Sequence, residues 1–139
     1  MKQKTVLSHQ DAWFLVEGIK KTLEQDNLGA SVAVVDDHGE LLAFLRTDGC
    51  KLPSLNIAIN KAFTAAREKT ASKEVGEASR SSPFPMTNFG DLRYTAWGGG
   101  FPITIKGETL GAVGVSGLPE EEDMRLAQEA VNAFITAQG

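Results

Sequence analysis

The 139-residue chain is 42% hydrophobic and 23% charged, values of an ordinary globular protein that exclude extensive disorder. A net charge of −4 with no basic run gives nucleic acid no electrostatic footing, and no apolar stretch approaches the roughly 20 residues that a bilayer-crossing helix needs. A single domain spanning residues 1–139 is expected, long enough to bury a core without disulfides or a structural metal, and the lone Cys50 agrees with a reducing compartment.

The opening MKQKTVLSHQ carries two lysines but no apolar core, so it is not read as a secretory signal, and a cytoplasmic location is expected. Ser8, with Asp11 three residues on, predicts a capped helix start. Ala12, Leu15, Val16, Ile19 and Leu23 then recur at helical spacing until Asn27-Leu28-Gly29 stops the run. Ser31 to Val35 reads as a buried strand, Asp36-Asp37-His38-Gly39 as a turn, and Glu40 to Arg46 as the returning strand. Ser54 is placed as the N-cap of the next helix. That helix carries Leu55, Ala58, Ile59, Ala62 and Ala66 on one face, and Lys61, Thr64 and Glu68 in a polar stripe that reads by default as solvated. A short helix follows over about Thr70 to Ser79.

Between Arg80 and Leu92, Phe84, Met86 and Phe89 interrupt an otherwise polar loop, which suggests a flap over an apolar surface or a contact between subunits. Arg93 to Trp97 reads as a strand running into Gly98, Gly99 and Gly100. Phe101 to Ile105 and Thr109 to Ser116 form a hairpin around Lys106-Gly107, with Leu110, Ala112, Gly114 and Ser116 sharing one face of small residues. Glu120 to Asp123 open a last helix that buries Met124, Ala127, Val131 and Phe134. Five strands joined mainly by hairpins and covered by helices imply an α+β domain on a five-stranded antiparallel sheet.

Candidate chemistry is sparse. The triple glycine leads into a strand and not into a helix, which argues against a phosphate loop; a sharp turn and a ligand-facing backbone both remain open for it. Arg46 and Asp48 either pair with each other or leave Arg46 facing a ligand carboxylate. Asp36, Asp37, Asp48 and Asp123 read as turn or cap residues. His9 lies beside a helix cap and His38 in a turn, Cys50 and Met86 lack partners at motif spacing, and no Ser-His-Asp or Cys-His pattern supports nucleophilic catalysis.

Three segments in order, SVAVVDDHGELLAFLRTDG, IAINKAFTAA and GGGFPITIKGETLGAVGVSG, the last followed by an acidic segment and a helix, resemble the GlcG/HbpS family of heme-binding proteins, which includes the C-terminal domain of PduO-type proteins. The resemblance covers about Ala30 to Ala130. It implies a profilin-like, three-layer α/β/α arrangement. It also implies heme, or a related planar or small-molecule ligand, held near Lys61, Thr64 and the turn Gly98, Gly99, Gly100, Phe101 and Pro102, with Arg46 and Asp48 matching the family's Arg-x-Asp-Gly. It identifies no iron ligand; His9 is the one histidine named for that role. AREKTASKEVGE stands where family members carry an apolar-Pro-Thr segment. The alternatives are an accessory protein or enzyme of glycolate, glycerol or propanediol utilisation, and a ligand-sensing module without catalysis. The apolar loop and the small strand face further predict a homo-oligomer, most simply a twofold dimer.

Overall fold

The computed structural model describes all 139 residues. Its elements in chain order are α1 (His9–Gln25), β1 (Ser31–Asp36), β2 (Leu41–Arg46), α2 (Ser54–Glu68), α3 (Ser72–Ser81), a 3-10 turn (Met86–Phe89), β3 (Gly100–Ile105), β4 (Glu108–Ser116) and α4 (Glu120–Gln138). At the start of α1 the capping box forms as predicted: the Ser8 hydroxyl accepts the Asp11 N–H at 3.0 Å, and the Asp11 carboxylate accepts the Ser8 N–H at 2.9 Å. α2 differs. Pro53 precedes it without any side-chain cap, so Ser54 is the first helical residue and its hydroxyl does not cap the helix.

The four strands are all antiparallel, in the order β2-β1-β4-β3. The fifth strand predicted over Arg93 to Trp97 does not form. That segment instead runs across α2, where the Thr95 N–H donates to the Thr64 hydroxyl at 2.9 Å, the Arg93 guanidinium lies 4.0 Å from the centre of the Phe63 ring, and the Ala96 backbone rests on Gly76. The Thr64 hydroxyl of α2 and the Ser72 hydroxyl of α3, which donates to the Trp97 carbonyl, take backbone groups that a strand would have given to a ladder.

Helices cover both faces of the sheet. α1 and α4 meet it through Leu15, Ile19, Val32, Val34, Val113 and Phe134, while α2 meets it through a set of small residues, Ala33, Val35, Ala58, Ala62 and Ala112. Backbone therefore lies on backbone. A methyl group at Gly114 would overlap the Ala58 carbonyl, and one at Gly100 would overlap the Lys61 carbonyl. The small face of β4 is thus used within the chain and offers nothing to a second subunit. Leu110 does not share it. The register shift between Ile103 and Thr104 pairs Thr109 with Thr104 and Gly111 with Ile103, leaving Leu110 as an extra residue turned to the α1 and α4 side. The β3-β4 turn has positive φ at both central residues, 52° at Lys106 and 79° at Gly107, the geometry of a two-residue hairpin.

Register also sets the position of the site. Ser31 lies opposite both Arg46 and Ser116, and Gly100 lies opposite Gly114. One end of the sheet thus gathers the starts of β1 and β3, the ends of β2 and β4, and the first turns of α2 and α4.

Candidate ligand-binding site

Two clefts open at this end, one on each side of Gly98. The first, of about 330 Å³, lies between α3, α4 and the start of β3, lined by Lys73, Glu74, Gly99, Gly100, Phe101 and Met124 among others. The second, of about 370 Å³, lies between the first turns of α2 and α4, with Ser54, Lys61, Trp97, Ser116 and Asp123 in its wall. The partition between them is a polar bridge: the Gly98 N–H donates to a Glu120 carboxylate oxygen at 2.8 Å, and Lys73 pairs with the other oxygen. Lys73 and the Gly98 N–H hold the Glu120 carboxyl below its usual range.

Beneath the second cleft sits a buried ion pair that connects three elements. Lys61 is 3% exposed and Asp123 2%. The Lys61 ammonium donates to Asp123 Oδ2 at 3.1 Å and to the Val115 carbonyl at 2.9 Å, and Asp123 Oδ1 accepts the Leu118 N–H at 3.1 Å. Burial pushes the Asp123 carboxyl above its usual range, with Lys61 opposing the shift. Both residues depart from their sequence reading. Lys61 and Thr64 lie in a run, Lys61 to Ala66, that is buried throughout, because β4, α3 and the Arg93–Trp97 segment surround the helix; of the predicted polar stripe only Glu68 is exposed. Asp123, read as a turn or cap residue, lies inside α4, whose N-cap is Pro119 without any side-chain cap; its carboxylate holds the Leu118 N–H of the preceding turn and ties α4 to α2.

The other predicted residues separate. Gly98, Gly99 and Gly100 are buried, and Gly99 and Gly100 together with Phe101 line the first cleft. Pro102 is half-buried in the edge strand β3, where its missing N–H costs no ladder bond. Thr64 lines neither cleft; its hydroxyl donates to the Asn60 carbonyl and accepts the Thr95 N–H. Arg46 and Asp48 are exposed at the same end of the sheet, but they line neither cleft. His9 and His38 are exposed and lie away from both. Asp36 is the turn residue predicted, its Oδ1 accepting the His38 and Glu40 N–H groups.

Sequence reasoning missed Lys73, Glu74, Gln128, Ser54 and Ser116 as lining residues. Their signal is weak, since none belongs to a motif and only the tertiary meeting of α3 with β3, or of α2 with β4, gives them a role. Asp123 was more accessible. It lies four residues before Ala127 and eight before Val131, on the stripe that α4 buries.

A two-sided helical cover on an antiparallel sheet, with clefts where the helices begin, defines a small α+β protein. The family model described as "Haem degrading protein HbpS-like" matches residues 7–132, and the chain belongs to that HbpS-like family. Among its relatives, protein GlcG of Escherichia coli K12 is 35% identical over 122 residues, 84% of this chain and 85% of that protein. The corrinoid adenosyltransferase PduO of Salmonella typhimurium is 29% identical over 130 residues, which cover 92% of this chain but 39% of PduO. Of solved structures, the Klebsiella pneumoniae protein ORFY superimposes with a TM-score of 0.88 at 29% identity, covering 96% of this chain and 94% of that one. A PduOC–heme complex superimposes with a TM-score of 0.83 at 28% identity, covering 93% and 95%.

Proposed function

We propose that this chain is a heme-binding protein, or binds a related planar ligand, and that the ligand enters the first cleft against the Gly99–Phe101 backbone. The observation that carries the reading is the composition of that cleft. Phe101 and Met124 offer apolar surface to a flat ring, Gly99 and Gly100 present backbone without side chains, and Lys73, paired with Glu120, has N–H groups left for a ligand carboxylate. The residues present therefore fit such a group through its face and its acidic edge. Among them only the Met124 thioether and the lining carboxylates carry atom types that would ligate a metal there, whereas His9 lies elsewhere. Heme bound to the PduOC neighbour supports the same ligand class here.

The rest of the reading follows from the surface. Phe84 is 75% exposed, Phe89 42% and Leu92 101%, an apolar edge that we assign to contact between copies of the chain, most simply in a twofold dimer. The profilin-like arrangement, one domain over residues 1–139, and a cytoplasmic setting complete the proposal; no helix is long and apolar enough to cross a membrane. Hemin titration of the purified chain tests it. A saturable Soret change near one hemin per chain, absent with an unrelated protein of similar charge, is expected; a linear, non-saturating response would refute it.

A further inference from the structure

The second cleft has donors that the fold itself does not use. Ser54 is 7% exposed and Ser116 4%; both line the cleft, and neither hydroxyl is hydrogen-bonded to any protein group. No side-chain polar atom that is wholly cut off from solvent lacks a partner, so these two hydroxyls, in the wall of the cleft, retain some contact with water. They come from different elements, Ser54 from the first turn of α2 and Ser116 from the end of β4. The Lys61 ammonium adds a third donor. An ammonium has three N–H groups, and two of them go to Val115 and Asp123.

The carboxylates, by contrast, are already engaged. The Asp123 oxygens take Lys61 and the Leu118 N–H, and those of Glu120 take Lys73 and the Gly98 N–H. At the rim, exposed Lys51 adds a positive charge, while Ile57 and Trp97 supply apolar wall. A cavity with spare donors, carboxylates already paired with Lys61 and Lys73, and an unpaired cation at its mouth suits a compact ligand rich in acceptor oxygens and carrying negative charge. We propose that this cleft binds a short hydroxy- or oxocarboxylate, its carboxylate toward Lys51 and Lys61 and its second oxygen toward Ser54 and Ser116. Inorganic anions match the charge, but they lack the carbon chain that Ile57 and Trp97 would cover. The proposal is independent of heme, because Gly98 and the Glu120–Lys73 bridge separate the two clefts.

Trp97 is 58% exposed at the cleft and Trp13 is the only other tryptophan, so the variant Trp13→Phe makes the cleft its own fluorescent reporter. Lactate, pyruvate and glycerate are titrated into the heme-free chain at constant ionic strength, with acetate, inorganic phosphate and glycerol as controls. At least one of the three should saturate the Trp97 signal with a half-point below about 1 mM, at least about tenfold tighter than every control, and Ser54→Ala combined with Ser116→Ala should weaken it about tenfold or more with unchanged circular dichroism. The single serine variants, read the same way, replace the double variant if its circular dichroism changes. Failure of all three probes to saturate, equal response to acetate or phosphate, or serine variants that bind as the parent does would each overturn the proposal.

Discussion

Removing the charge of Asp123 while keeping its shape tests the ion pair at the base of the second cleft. In Asp123→Asn, the amide oxygen retains an acceptor for the Leu118 N–H, so the turn that leads into α4 is largely preserved and the loss falls on Lys61. At 3.1 Å the gross attraction is about 5 kcal/mol at an effective dielectric of about 20. The net effect of breaking such a pair is about 3–5 kcal/mol, because the remaining ammonium stays buried without a counter-charge. For a chain of this length the unfolding entropy is about 0.3 kcal/mol/K, so the midpoint of thermal unfolding should fall by about 10–17 °C. Adding Lys61→Met to the same chain removes the orphan charge, and the double variant should recover about 2 kcal/mol or more relative to Asp123→Asn alone. Differential scanning calorimetry with urea unfolding gives both numbers. A single variant that loses less than about 1 kcal/mol, or a double variant less stable than either single one, would show that the two charges are solvated and do not depend on each other.

Other positions give sharper contrasts. Gly114→Ala and Gly100→Ala place a methyl group into α2 backbone and should each cost about 3 kcal/mol or more or prevent folding, whereas Gly18→Ala, with open space around it in α1, should stabilise the chain by about 0.5–1 kcal/mol; urea midpoints decide. Replacing Phe84 and Phe89 with Ser should lower the mass seen by light scattering toward 14.9 kDa with helix content unchanged, and an unaltered mass would refute their place in an interface. Glu120 is held below its unfolded value of 4.5, so its contribution to stability is present above that pH and is lost as pH falls through the lower folded value. The Gly98 amide should accordingly shift in NMR spectra only below about pH 4.5, and a midpoint above that value would reverse the assigned direction.

Much of the fold was legible because local signals and burial agree. The Ser8–Asp11 box, the Val32–Val34 run and the Lys106-Gly107 turn each encode their conformation within a few residues. Arg93 to Trp97 has strand-like composition, yet its partner is a helix, and only the position of Thr64 on the buried side of α2 fixes that. The face of Leu110 depended on one extra residue in a ladder, which alternation alone does not register. At the site, the glycines and Lys61 were visible as unusual residues, but their surroundings were not. Lys61 sits three residues after Ala58 and one before Ala62, on the stripe that packs against the sheet, and a charge there requires a counter-charge that pattern reading left sixty-two residues away. The first cleft was hidden for the same reason, since α3, β3 and α4 meet only in three dimensions.

The claim that heme or a similar planar ligand enters beside the triple glycine is tested most directly by its paramagnetism. Substoichiometric ferric hemin added to isotope-labelled chain should broaden the amide signals of Ala71, Glu74, Gly99, Gly100, Phe101 and Gln128 first, because these line the first cleft, and should leave those of Arg46 and Asp48 sharp. Broadening centred on the Asp36–His38 turn, or spread evenly over the surface, would contradict the account.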